Sequence, residues 1–493
     1  MSLSPNSVAV SGNSTVTRAL TISTTTNTPT GTHTLTLKAT SGGIQKTATL
    51  TLAVNTFTVN TINDTLDANP GDGGCADSDG NCSLRAAVME ANALNLNTPV
   101  VINIPAGTYQ LTLTNSVDEQ GGDLDIKSNV TLKGAGAGQT ILDGNAADRV
   151  LEIYQGKTVS VEGVTIQNGK VNNSNGGGIY NSGTLTLKDS TVSGNTAIGN
   201  TNNNGHGGGI YNDSTGTLTL TNSTVSGNTA SVGGGIFNSG TLTLKDSTVS
   251  GNTANPGSGG GILNYLGTLT LTDSTVSGNT AGYGGGGIYG LGTLTLTNST
   301  VSGNRAEYDG GGIGNAGTLT LTNSTVSGNR ASGGGGVYVY SGTANLSFST
   351  LTGNQATSAG GGIYIDSGTG TVQLKGVILA GNTSGGSGPE CSGSLTSQGY
   401  NLIGNVAGCT LTQQQNPNTD ITGTEQNPLD PLLGPLADNG GPTKTHLPRA
   451  GSPVLDQVPT EHCTLTTDQR GVGRPQGAAC DIGAVERRAV EGQ

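Results

Sequence analysis

The chain has 493 residues, 85 of them glycine, with aromatic residues at 3% and no tryptophan. That composition excludes a conventional globule of this length, which needs more bulky side chains to fill its interior, and a membrane span, because nowhere do ~20 apolar residues run together. The net charge of −12 excludes nucleic acid as a partner, since phosphate binding needs a basic surface.

Residues 1–54 alternate with a period of two, as in Thr32-His33-Thr34-Leu35-Thr36-Leu37 and Thr47-Ala48-Thr49-Leu50-Thr51-Leu52. They are expected to form a partial β segment similar to the C-terminal half of a bacterial immunoglobulin-like surface domain. Met1-Ser2-Leu3 opens neither a charged nor an apolar run, so no signal peptide is expected here. Residues 55–110 are expected to form an N-terminal cap. Asp77-Ser78-Asp79-Gly80-Asn81 contains part of a calcium loop, with Asp77 and Asp79 as its ligands, but Val88 stands where the bidentate Glu belongs. A turn closed by a disulfide is the preferred reading, and no cofactor is assigned. In Cys82-Ser83-Leu84-Arg85-Ala86-Ala87, Ser83 is a fitting helix N-cap. Leu84, Ala87, Val88 and Ala91 then fall on one helical face. This stretch resembles the CSLREA domain, with Ala86 where that family has Glu. A short helix is expected to cover the open end of the repeats that follow, which otherwise exposes strand edges and core.

Residues 111–384 are repeats. Ser-Gly-Asn or a close variant ends at Asn195, Asn228, Asn252, Asn279, Asn304, Asn329, Asn354 and Asn382, 24 to 33 residues apart. Each repeat divides into three strands, as at Gly176–Tyr180, Gly216–Thr221 and Ser223–Asn228. Leu218 and Leu220 point one way and their Thr neighbours the other, with Ile210 and Val225 continuing the apolar side. One coil cannot bury these side chains alone; coils stacked ~4.8 Å apart can. The expected fold is therefore all-β, a right-handed single-stranded parallel β-helix. Asp189, Asn222, Asp246, Asp273, Asn298 and Asn323 suit left-handed turns between strands two and three. Asn181, Asn212, Asn238, Asn264 and Asn315 suit a stacked ladder after strand one. Length varies mainly between strand three and the next Gly-Gly-Gly, and in solenoids such insertions often mark the binding face.

Residues 385–493 are expected to add C-terminal coils and a disulfide-containing anchor-type region. The cysteines fall into local pairs, Cys75/Cys82, Cys391/Cys409 and Cys463/Cys480, all outside the repeats. Local pairing is the simplest of the arrangements left open. It implies an oxidising, extracellular or cell-surface setting. Zinc is disfavoured, because His462-Cys463 is the only close pair of soft ligands. Gly122-Asp123-Leu124-Asp125-Ile126 and Ile141-Leu142-Asp143-Gly144-Asn145 look like the first coils of CSLREA proteins. Leu429-Asp430-Pro431-Leu432-Leu433-Gly434-Pro435, Asp468-Gln469-Arg470-Gly471 and Cys480-Asp481-Ile482-Gly483 resemble the choice-of-anchor domain. The repeats resemble those of the polymorphic outer-membrane protein family, with Val in place of Phe. These resemblances imply a pectin-lyase-like β-helix on or outside a bacterial cell, as a monomer or as part of a longer surface protein.

Strand one of the repeats offers no acidic pair, so the leading expectation is a non-enzymatic surface or adhesion module that takes a polysaccharide or cell-surface glycan. Tyr180, Tyr211, Phe237, Tyr289, Tyr338 and Tyr364 share one repeat position and are the ligand-binding candidates, with Leu263 and Gly314 interrupting the column. Two alternatives remain. A polysaccharide lyase or glycoside hydrolase would draw on the charged group Arg305, Arg330, Glu307 and Asp309. An ice-binding solenoid would use the outward Thr array of strand two. His206 is given no role.

Overall fold

The structure, a computed structural model, describes residues 31–41, 44–114, 120–199, 204–366, 368–414, 419–489 and 491. Residues 1–30 of the expected first β segment lie outside the described residues. Its remainder is an antiparallel hairpin, Gly31–Ser41 against Ile44–Val54.

From residue 56 onward the chain winds into a parallel β-helix. Thr217–Thr221 pairs in parallel with Thr184–Lys188 on one side and Thr241–Lys245 on the other, residue for residue. The same holds for Ile210–Asn212 and Thr224–Ser226. Because the registers agree, each residue type stacks on its own kind in the next coil. Ile210, Leu218, Leu220 and Val225 are wholly buried, and so are their equivalents along the axis. They form one continuous apolar core that runs from Phe57 to Leu395.

Two details depart from the sequence reading. Each coil has four strands, not three: Thr229–Ala230 and its equivalents form a separate nine-stranded sheet. Its small side chains, Ala197, Ala230, Ala254 and Ala281, are buried. The three glycines, in contrast, are not strand. They make a tight corner in which backbone meets backbone. At Gly234 a Cβ would lie 2.4 Å from the Gly260 carbonyl oxygen and 2.5 Å from Thr253, so only glycine fits.

Polar ladders hold the corners. Asp189, Asn222, Asp246, Asp273, Asn298 and Asn323 take positive φ of 47–52°, as expected for left-handed turns. Asn181, Asn212, Asn238 and Asn264 bond side chain to side chain at 2.6–2.7 Å, and Gly290 ends that run. A longer ladder lies at the Ser-Gly-Asn asparagines, which the sequence marks only as a repeat boundary. Asn279 Nδ2 donates to Asn304 Oδ1 at 2.9 Å and to the Val249 carbonyl at 3.0 Å. Its own Oδ1 accepts from the Asn252 amide and side chain. Glu390 closes the series by accepting from Asn382 Nδ2 at 2.6 Å.

A helix covers the N-terminal end of the stack. The helix Leu84–Leu94 begins at Ser83, whose Oγ accepts from the Ala86 amide at 3.0 Å. Leu84, Ala87, Val88 and Ala91 join the apolar core. Arg85 is almost completely buried, pairs with Asp64 at 2.7 Å and donates to the Gly122 carbonyl, tying the cap to the first coils. The disulfides join Cys75 to Cys82, Cys391 to Cys409 and Cys463 to Cys480. The C-terminal segment folds back over the Thr-Val-Ser sheet. There Gln469 accepts from Thr325 Oγ1 at 2.7 Å and donates to Thr300 Oγ1 at 2.9 Å. Asn323 donates to the Thr467 carbonyl, and the Arg474 guanidinium lies 5.0 Å above the Phe348 ring.

Replacing Asn279 with alanine strands the buried Asn252 amide and one of its side-chain donors. The expected cost is about 2–3 kcal/mol, against about 0.5 kcal/mol or less for Thr243→Ala on the open face. Urea unfolding compares the two. Native-state hydrogen exchange should place the Asn279→Ala loss in the adjoining coils.

Candidate functional site

The position after the buried Ile of strand one forms a single outward column. In coil order it holds Asp125, Glu152, Tyr180, Tyr211, Phe237, Leu263, Tyr289, Gly314, Tyr338 and Tyr364. The sequence candidates thus share one face, and the column extends at its N-terminal end into two carboxylates that the sequence reading did not join to it.

Ring stacking follows from the coil spacing. Tyr180 and Tyr211 have centroids 5.1 Å apart, as do Tyr211 and Phe237, with interplanar angles of 23° and 13°. Rings so placed use their faces on one another and show their edges to solvent. A face becomes available only where the column is interrupted. At Gly314 the gap is filled: Tyr340 packs edge-on to Tyr289 at 5.6 Å and against Tyr338 at 4.3 Å, and Tyr338 stacks on Tyr364 at 4.7 Å.

At Leu263 the gap stays open. It is a cavity of about 630 Å³ beside Leu263 and Leu291. His206, Phe237 and Tyr265 line it on one side, Tyr283 and Tyr289 on the other. Tyr265 and Tyr283 are each 49% exposed. Tyr283 comes from the variable connection before Gly-Gly-Gly, which thus contributes to the cavity lining. His206, given no role from sequence, stacks on Phe237 with centroids 4.6 Å apart. Burial pushes its pKa below the usual histidine range, so it is neutral at pH 7. Neither Tyr265 nor Tyr283 belongs to the repeat pattern. A column searched for residues that break the repeat, rather than obey it, would have found both.

The charged candidates do not act together. Arg305 and Arg330 stack on adjacent coils as expected, but in the fourth sheet, exposed, with Glu307 also in solvent. Asp309 lies apart, half-buried near Tyr289, Tyr338 and Tyr340. Its pKa is raised by burial and by Asp366. Asp77 spends its carboxylate on the chain itself, accepting from the Asp79 and Asn81 amides and from Thr65; Asp79 is exposed.

A different acidic group converges. One ligand oxygen from each of Asp123, Asp125 and Glu152 lies within 4.8 Å of the others. This corrects the expectation that strand one lacks an acidic pair, which holds for the repeats but not for the two coils before them. Arg149 occupies the group, reaching Asp123 at 2.9 Å and Glu152 at 2.5 Å, with its guanidinium 5.2 Å above the Tyr180 ring. Lys127 pairs with Asp125 at 3.4 Å. Glu152 is pushed up by burial, an effect Arg149 partly offsets. The Thr array of strand two is in register and open on one side, with Thr243, Thr270, Thr295 and Thr320 in one column, until Asn345 and Gln373 interrupt it.

Residues 273–291 and 348–366 match the repeat of the Chlamydia polymorphic membrane proteins. No curated protein matches the chain by sequence. Among solved structures, pectate lyase Pel9A is similar at 14% identity over 88% of this chain and 97% of its own, with a TM-score of 0.38. The A-module of Azotobacter vinelandii mannuronan C-5 epimerase AlgE4 is similar at 17% identity over 75% and 97%, with a TM-score of 0.37. At these identities and TM-scores neither likeness assigns a superfamily or a role. The chain is a parallel β-helix, and two of its segments match the polymorphic-membrane-protein repeat. No helix among the described residues is long and apolar enough to cross a membrane.

Because the folded state disfavours protonated His206, its contribution to stability is complete above the unfolded histidine pKa near 6.5. It is lost as pH falls through the lower folded value. The thermal midpoint should therefore drop between pH 7.5 and 5, and His206→Phe, which keeps the stack, should drop less. Identical pH curves for the two proteins would refute this assignment.

Proposed function

We propose that this chain is a secreted or cell-surface β-helix that binds polysaccharide without cleaving it, with the glycan seated in the aromatic gap at Leu263. The repeat match and the three disulfides support the surface setting. The single observation that carries the binding reading is the open gap itself, where Phe237, Tyr265, Tyr283 and Tyr289 line a cavity within the ~300–1,000 Å³ range of small-ligand sites. Sugar rings have apolar C–H faces that pack on aromatic rings and hydroxyls that bond to Ser239 and Ser258 at the margin. No carboxylate lines the gap, which leaves it without an acid–base pair.

Tyr265→Ala with Tyr283→Ala removes two exposed rings and keeps the core. Retention on insoluble polysaccharide should fall about tenfold, from about 0.5–1.5 kcal/mol for each lost aromatic contact. Wild-type protein that binds no glycan, or a double variant that binds as well as wild type, sinks the proposal.

One observation favours a second reading, a polysaccharide lyase or glycoside hydrolase. The Asp123, Asp125 and Glu152 oxygens are about as close as the ~5 Å carboxylate separation of retaining glycosidases, and they continue the aromatic column. Release of new reducing ends or unsaturated sugars, with or without calcium, by wild type and not by Glu152→Gln, would establish it.

A further inference from the structure

We infer that the gap at Leu263 selects uncharged sugar units and rejects uronates, an inference that rests on the glycan-binding reading above. It comes from where charge lies along the column and where it does not.

No Lys, Arg, Asp or Glu lines the gap. Its one titratable ring other than tyrosine, His206, is held neutral by burial. The carboxylates Asp213, Asp309 and Asp366 act on the column's tyrosines on either side, and the exposed cations Arg305 and Arg330 belong to the fourth sheet and do not line the gap. Asp213 acts on Tyr180 and Tyr211. Asp309 acts on Tyr289, and Asp309 and Asp366 act together on Tyr338. Arg149 and Lys127, the cations at the head of the column, are engaged by Asp123, Glu152 and Asp125. They are not available to a ligand at Leu263, four coils beyond Glu152.

A uronate ring entering this gap brings a carboxylate into a site with no counter-charge. Removing it from water costs several kcal/mol unless it is paired, and the flanking carboxylates add repulsion, as does the net charge of −12. A cationic amino sugar gains long-range attraction but meets no carboxylate within the gap to pair with. A neutral hexose or N-acetylhexosamine avoids both costs. Its C–H faces meet the exposed rings of Tyr265 and Tyr283, and its hydroxyls and amides reach hydroxyl groups that line the gap.

The test is calorimetric titration of the full chain with four hexamers: cellohexaose, N-acetylchitohexaose, hexagalacturonate and fully deacetylated glucosamine hexamer. The expected result is that a neutral hexamer binds at least about tenfold more tightly than either charged one. Ser258→Lys, which sets a cation at the margin of the gap, should raise the ratio of hexagalacturonate to neutral-hexamer affinity by at least about tenfold. Its thermal midpoint checks that it is folded. If hexagalacturonate binds as tightly as the neutral hexamers, or the glucosamine hexamer binds more tightly than its N-acetylated form, the selectivity inference falls while glycan binding stands. If no hexamer binds, both fall.

Discussion

Every feature of this molecule depends on coils closing on one another at the spacing of a backbone hydrogen bond. A coil of this composition cannot bury its four aliphatic side chains alone. Once stacked, it must match its neighbour residue for residue, because a slip of one position turns Leu220 out and Thr221 in. The buried asparagines enforce that match. Each Ser-Gly-Asn side chain accepts from the coil before it and donates to the coil after, so a displaced coil leaves polar groups unpaired in the core. Asparagine suits the task because its amide both donates and accepts. Glu390 can only close the series, because its carboxylate accepts from Asn382.

The same spacing shapes the aromatic column. Rings ~5 Å apart satisfy each other, and an unbroken column offers little to a ligand. An opening is left where the repeat fails at Leu263. Leu263 does not continue the ring stack; Tyr265, outside the repeat, stacks on Phe237 at 6.0 Å, and an opening remains between it and Tyr283. At Gly314 the outcome is the reverse, because Tyr340 enters and closes the column. The C-terminal segment then determines which faces remain free. It buries Thr300, Thr325 and Thr350 of the Thr-Val-Ser sheet and leaves the aromatic column and the Thr array of strand two uncovered.

Much of this was legible in the sequence because it is periodic. The alternation around Leu218 and Leu220 gave the inward face, the positive-φ turns followed from Asn and Asp, and Ser83 marked the helix start. The grouping of Tyr180, Tyr211 and Phe237 followed from equal position in the repeat. Less regular features were hidden. The strand Thr229–Ala230 is too short to show a period. The Ser-Gly-Asn ladder looked like punctuation, because burial of a polar side chain is not visible in sequence. Asp125 and Glu152 belong to coils whose strand one reads Leu-Asp-Ile and Leu-Glu-Ile, so they did not align with Gly-Gly-Gly-Ile-Tyr.

What the sequence determined by itself, then, is the coil: its length, its inward and outward faces, and which residues stack. These are local consequences of a period of two and of turn chemistry. Only the tertiary structure decided which stacked residues are free to meet a ligand, that His206 belongs with Phe237, that Asp309 does not belong with Arg305, and that the C-terminal segment covers one sheet. Those outcomes depend on side chains far apart in the chain competing for the same space, and no repeat encodes the result.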